Sequence, residues 1–247
     1  MSTSGSTSYS LNTQQLVNFA CHLINAIPLN QSAPYYIYDA VLTALNLMCK
    51  TWMAEKRYLW AWTEKSGITI VADQQSYTIG PSGADITMEK PMEIMSLRIR
   101  NTADETDVPI ELVNRKEYQQ GFTAKTSVNN TGFPTAAYYD PQRDTGVLYL
   151  NGVPNTEVAT DYTMRFDYPR RIEDFVSTAD APDFTQEYLE TVVYNLAVRI
   201  RPLFPAVLIQ EIQDVIARAQ QLYNDMPVYT GELEENLVFE PDRVDEF

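Results

Sequence analysis

The sequence predicts an α+β protein in which N- and C-terminal helix pairs form a four-helix bundle with an inserted antiparallel β-sandwich or barrel. Three observations predict it. Apolar residues recur at helical spacing up to about residue 57 and again from residue 183. Between those segments the pattern changes to short alternating or β-rich runs. Those runs are separated by turn residues, as in Pro81-Ser82-Gly83, Asn130-Thr131-Gly132 and Asp144-Thr145-Gly146. The implied division is 11–57 plus 183–226 for the helical bundle, 58–172 for the β insertion and 227–247 for an extended acidic tail.

The first helix follows from Asn12 and Gln15, which have capping-box spacing, and from Leu16, Phe19, Ala20, Leu23 and Ile24 behind them. It should run from Thr13 to about Ala26, where Pro28 stops it. A second helix carries Val41, Leu45, Met48 and Trp52 on one face and should pair with the first as a hairpin. The β-rich runs are Leu59–Thr63, Gly67–Val71, Ser76–Ile79, Ile94–Arg100, Pro109–Leu112, Ala136–Tyr139, Val147–Leu150 and Tyr162–Tyr168, with one helical turn at Lys116–Gln120. Asp183 and Gln186 repeat the capping-box spacing ahead of a third helix with Leu189, Val192, Val193, Leu196 and Ile200. Pro205 suits the first turn of a fourth, whose seam is Leu208, Ile212, Val215, Ala219, Leu222 and Tyr223.

Composition narrows the function. The 247 residues include 33 acidic against 18 basic side chains, a formal net charge of −15. Such a field repels phosphate and disfavours nucleic-acid binding driven by counterion release. The N-terminus lacks the charge and apolar run of a secretory signal, and no stretch reaches the ~18 apolar residues of a membrane span. The reading is a protein neither exported nor membrane-spanning, with Cys21 and Cys49 as buried thiols of a reducing compartment.

No catalytic, cofactor or metal constellation emerges. His22 is the single histidine and stands off the face that carries Leu16 and Leu23, so no Ser-His-Asp or Cys-His site has a base. Zinc would need more His and Cys ligands than the chain holds. Asp140–Gly146 lacks calcium-loop spacing, and Gly80-Pro81-Ser82-Gly83 is a turn rather than a nucleophile elbow or phosphate loop. Lys56-Arg57, Arg115-Lys116 and Arg170-Arg171 are scattered where elements meet, which favours salt bridges over a DNA groove. Trp52, Trp60 and Trp62, with Tyr58 and Tyr77, are either core or a sugar-stacking platform. In the tail, Leu233, Leu237, Val238, Phe239 and Phe247 stand among acids. The segment is either a solvated acidic extension or one that orders on a partner through those five residues.

An ordered set of short motifs carries a resemblance. It comprises Ala44-Leu45-Asn46 with Trp52-Met53-Ala54-Glu55, then Asp73-Gln74-Gln75-Ser76-Tyr77-Thr78-Ile79-Gly80, then Pro91. Gly132-Phe133-Pro134-Thr135-Ala136-Ala137-Tyr138-Tyr139-Asp140 follows, then Val147-Leu148-Tyr149-Leu150 with Val153-Pro154, then Tyr188 with Tyr194-Asn195-Leu196-Ala197. Over 40–202 this order resembles the head-to-tail adaptors of tailed bacteriophages, also called connector, tail accessory or packaged-DNA-stabilising proteins, related to the tail tubular A proteins of short-tailed phages. The residues before Tyr35 and after Met226 match nothing one by one.

The resemblance implies a structural virion protein of the head-tail junction, made in the host cytoplasm. It implies a homo-oligomeric ring, twelvefold, that binds the portal protein, closes or extends the DNA channel and presents a platform to a downstream tail or nozzle protein. Packaged DNA would pass without sequence-specific binding, no membrane would be involved, and no cofactor is implied. The competing readings are a virion-associated cell-wall hydrolase, which needs a buried acidic pair in a cleft, and a carbohydrate-binding tail module, which needs exposed tryptophans.

Overall fold

Asn12 caps the first helix as its spacing predicts: its Oδ1 accepts from Gln15 N at 2.9 Å, and Asn12 N donates to Gln15 Oε1 at 2.9 Å. A computed structural model describes residues 5, 8–57, 61–121 and 130–227. The predicted tail contacts Leu233, Leu237, Val238, Phe239 and Phe247, and the aromatics Tyr58 and Trp60, lie outside the described residues.

Among the described residues there are six α-helices and eight strands. In chain order they are α1 (Thr13–Leu23), α2 (Tyr35–Ala54), β1 (Trp62–Thr69), β2 (Ser76–Gly80), β3 (Ile86–Thr87), β4 (Ser96–Asn101) and β5 (Asp107–Leu112). There follow α3 (Arg115–Gly121), β6 (Ala136–Asp140), β7 (Gly146–Leu150), α4 (Thr156–Asp161), β8 (Tyr162–Pro169), α5 (Leu189–Ile200) and α6 (Gln213–Asp225). The protein is α+β, as the periodicities predict.

The long helices share one apolar cluster. It includes Leu16, Val17, Ala20 and Ile24 of α1, Val41, Leu45, Met48 and Trp52 of α2, Val192, Leu196 and Ile200 of α5, and Val215 of α6. Helix α5 is the hub, touching α1, α2 and α6. Asn195 links two of them, its Nδ2 donating to Thr191 O at 2.9 Å and to Ala219 O at 3.3 Å.

Two expectations fail at the C-terminal pair. Asp183 does not cap α5, because its carboxylate pairs with the Arg170 guanidinium and accepts from Glu173 N. A 3₁₀ turn at Gln186–Tyr188 leads into α5 instead. The fourth helix starts at Gln213 rather than near Pro205. Arg201 Nη2 donates to Val207 O at 2.9 Å, occupying a carbonyl that an early helix would need, and Leu208 is left exposed.

The strands form one sheet in the order β1-β8-β4-β5-β6-β7-β2-β3, antiparallel except for the β5–β6 and β2–β3 pairs. Its terminal strands face each other across a cavity of about 340 Å³ between Lys65–Thr69 and Asp85–Thr87, so the sheet is a nearly closed barrel. The interior holds Ile79, Leu97, Ile99, Leu148, Leu150, Met164 and Phe166. Alternation in β4 and β8 sends Arg98, Arg100, Arg165 and Asp167 to the other face.

Among the described residues, the runs predicted at 59–63 and 67–71 contribute to a single strand. β1 is continuous from Trp62, with a register shift between Lys65 and Ile68 at Gly67, whose φ is +67°. The bulge turns Ile68 into the core. Gly146 has a second constraint: a Cβ there would stand 2.8 Å from Cζ of Tyr139, whose hydroxyl donates to Pro91 O at 2.7 Å. Helix α3 covers the outer face of β6 and β7 by setting Tyr118 on Tyr138 and Tyr149, and Tyr118 Oη donates to Leu150 O at 2.8 Å.

Candidate assembly surfaces

The motif residues tie elements together rather than converge on a cleft. Asn46 of α2 clamps the returning chain, donating to Phe175 O at 3.0 Å and accepting from Phe175 N at 2.9 Å. Trp52 is buried edge-to-face on Phe184, and Glu55 accepts from the Tyr223 hydroxyl at 2.5 Å. In the barrel, Gln75 Nε2 donates to Leu150 O at 3.0 Å, and the Tyr77 hydroxyl accepts from Val71 N at 3.0 Å. Asp85 accepts from Thr78 N and Oγ1, bonds that hold its carboxyl below the usual range. Each is an architectural contact.

Two of the three basic pairs, Lys56-Arg57 and Arg170-Arg171, behave likewise, while Arg115 and Lys116 are exposed and form no salt bridge among the described residues. Lys56 meets Glu93 at 2.7 Å, and Arg170 meets Asp183. Arg57 donates to Tyr223 O at 2.9 Å and Met226 O at 2.5 Å while lying 3.9 Å over the Tyr223 ring. These links join the helical layer to its own C-terminal pair and to the barrel.

The candidate reactive groups are placed as structural parts. His22 Nε2 lies 3.1 Å from Gln31 O and holds the loop behind α1. Burial pushes the Cys21 thiol up to about 11 and the Cys49 thiol up to about 12, so neither supplies a thiolate near neutrality. Asp140–Gly146 is the β6–β7 turn, and among the described residues no cluster of three or more His, Cys, Asp or Glu could hold a metal. Trp52 and Tyr77 sit in different cores. They do not join Trp62 in a sugar-stacking platform.

What remains as candidate interaction surface is unevenly divided. The helical side exposes Leu29, Tyr35 and Tyr36 at 83, 82 and 73% of their surface, with Tyr9, Phe19, Leu47, Leu208 and Ile209 also uncovered. Next to Tyr9 and Phe19, an apolar groove of about 510 Å³ runs between α1 and α5 over Leu11, Leu189 and Val193. The sequence signalled none of these as uncovered, and it placed Phe19 and Leu208 on buried helix faces, whereas they are 48 and 53% exposed. The barrel instead presents a charge ladder across β1, β8, β4 and β5: Glu64 with Arg98 and Arg165, Asp167 with Arg98 at 2.8 Å, Asp107 with Arg100 at 2.8 Å. The Arg100 hydrogen bond holds the Asp107 carboxyl below its ordinary value.

A scaffold of this kind, with shared residues spent on architecture and apolar side chains left uncovered on one layer, belongs to the class of proteins that work through contacts. The family model described as SU10 adaptor protein matches residues 11–234. The chain belongs to this family of phage structural adaptors. The match extends past 40–202 on both sides, taking in α1 and α6. No curated protein matches the chain. Among the described residues no helix is long and apolar enough to cross a membrane.

Proposed function

We propose that the chain is a subunit of a homo-oligomeric ring, twelvefold, seated beneath the portal protein at the head-tail junction. The ring closes or extends the DNA channel and gives the downstream tail or nozzle protein its platform. In this reading 11–57 and 183–226 act as one four-helix unit that carries the ring and portal contacts. The insertion, 58–172, faces the tail, and 227–247 grips the portal or a neighbouring subunit through Leu233, Leu237, Val238, Phe239 and Phe247. The kinship with tail tubular A proteins belongs to the same proposal.

The observation that carries it is the concentration of exposed Leu29, Tyr35, Tyr36 and Leu208 on the helical side. Large apolar side chains gathered on one layer are what a protein contact would cover. A cyclic assembly needs complementary side-to-side surfaces rather than an active site, and a net charge of −15 lets a polyanion pass without sticking. Negative-stain images of the purified chain mixed with its portal test this. Rings capping the portal are expected, and separate particles at micromolar concentrations would overturn the reading.

A further inference from the structure

Where the last turns of α2 meet the barrel there is a cavity of about 380 Å³ lined by Lys50, Met53, Lys90, Met92, Pro141 and Arg171. Three of the six are cations and none is an acid, in a chain whose acids outnumber its bases 33 to 18. The cations are unequally satisfied. Lys50 pairs with Asp174. Lys90 Nζ bonds a neutral group, the Gln142 carbonyl. Arg171 is held more loosely, its Nε in an ion pair with Glu89 Oε1 at 3.7 Å but without a hydrogen bond. The lining holds three cations and no acid, so a carboxylate entering the cavity would meet charge that only Lys50 and Arg171 partly spend on acids outside it. The two methionines give the cavity an adaptable apolar wall.

We propose that this cavity is the docking site for the acidic tail, residues 228–247, of a neighbouring copy. The proposal rests on the ring reading and deepens it by naming the receptor of the tail. Charge complementarity points to the occupant: within 232–246 Arg243 is the only base, and Glu232, Glu234, Glu235 and Glu240 are interleaved with Leu233, Leu237, Val238 and Phe239. Carboxylates meet Lys90 and Arg171 while one large apolar side chain meets Met53 and Met92.

The place where the described chain ends points to the donor. The Met226 carbonyl is held by Arg57, and α6 lies against Trp52 and Glu55 of α2. Helical spacing puts Lys50 and Met53 on the opposite side of α2. The described chain therefore ends on the side of α2 opposite its own cavity. The tail's twenty residues span up to ~66 Å when extended, enough to cross to the next subunit. Each copy then offers one tail and one cavity, the head-to-tail contact that closes a ring.

The test is fluorescence anisotropy of a labelled synthetic peptide, residues 228–247, titrated into the full-length chain in dilute solution. Saturable binding is expected, weakened at least tenfold by the double substitution Lys90→Glu with Arg171→Glu and unchanged by Lys65→Glu on the far edge of the barrel. Because the double variant alters two packed side chains, a second peptide with Glu232, Glu234, Glu235 and Glu240 changed to Gln is tested on the unaltered protein and should lose affinity similarly. No binding, binding that ignores both changes, or equal binding by a scrambled peptide would overturn the proposal. Binding only to a chain truncated after Pro227 would mean that each subunit fills its own cavity, which overturns the neighbour assignment. Neither portal nor ring enters this measurement. A bound peptide without rings on the portal would sink the ring reading and leave the cavity standing, and rings without peptide binding would do the reverse.

Discussion

The helical layer and the barrel solve the same problem differently. The barrel nearly closes on itself: its interior takes apolar residues from all eight strands, and its outer face pairs Glu64, Asp107 and Asp167 with Arg98, Arg100 and Arg165. Among the described residues its most exposed large apolar side chains, Trp62, Val71, Met92 and Val108, keep only 37–47% of their surface. The helical layer has an equally dry interior around α5 yet leaves Tyr35, Tyr36 and Leu29 almost bare. An antiparallel sheet separates inside from outside residue by residue, whereas a helix with apolar residues beyond one stripe presents a second face. The difference lies in where apolar surface is left over: the described part of the barrel leaves little, and the helical layer leaves several large side chains uncovered.

The comparison can be broken or sharpened by substitution. The largest effects belong to the two interiors, where Leu196→Ala or Ile212→Ala in the helical layer should cost about 2–5 kcal/mol, and Phe166→Ala in the barrel about 3–5 kcal/mol. Chemical denaturation read by tryptophan fluorescence and far-UV circular dichroism checks this. Little loss at Leu196 would mean that α5 is not the hub.

A smaller, pH-dependent effect is expected where the two regions join. Burial opposes the charged form of Asp183, but the Arg170 guanidinium and the Glu173 N–H outweigh it and hold the carboxyl below its usual value. A carboxyl lowered on folding stabilises the protein above its unfolded value near 3.8, and that contribution is lost as pH falls through the folded value. The stability gap between the wild type and Asp183→Asn should therefore be fully present at pH 7 and close below about pH 3.8. Parallel denaturation curves at pH 7 and pH 3 measure it, and a gap that does not narrow at all between them would assign the effect to packing.

Surface changes should separate stability from assembly. Tyr35→Ser with Tyr36→Ser should alter stability by no more than about 0.5 kcal/mol per site while reducing portal binding, and Val108→Ser on the barrel should change neither. Equal portal binding by the tyrosine variant, read by sedimentation, would remove the helical layer from the interface. The smallest thermal effect is expected from deleting 228–247: its apolar residues are too sparse among acids to make a core of their own, so Tm should stay nearly unchanged while assembly weakens. A lowered Tm would show that the tail supports the subunit itself.

Much of this protein was legible from local chemistry. Asn12 with Gln15 announced the start of α1, and Val41, Leu45, Met48 and Trp52 announced the buried face of α2, because capping and helical periodicity need only near neighbours. The alternation of Leu97, Ile99, Met164 and Phe166 with arginines and acids was readable for the same reason. What could not be read depended on groups far apart in the chain. Asp183 looked like a helix cap until Arg170 claimed it, and Leu208 looked like seam until Arg201 took the Val207 carbonyl. The fusion of two predicted strands into β1 needed β8 as its partner, and two-residue β3 and six-residue α4 are too short to set a period of their own. The basic cavity is the extreme case. Lys50, Lys90 and Arg171 are separated by 40 and 81 positions and meet only because the barrel packs against the end of α2. By itself the sequence determined the two periodicities, the acidic field and the thinness of catalytic chemistry, all of which are sums over near neighbours. Only the tertiary structure decided which apolar residues stay bare and which cations converge, because both depend on which surfaces remain once the interiors are filled.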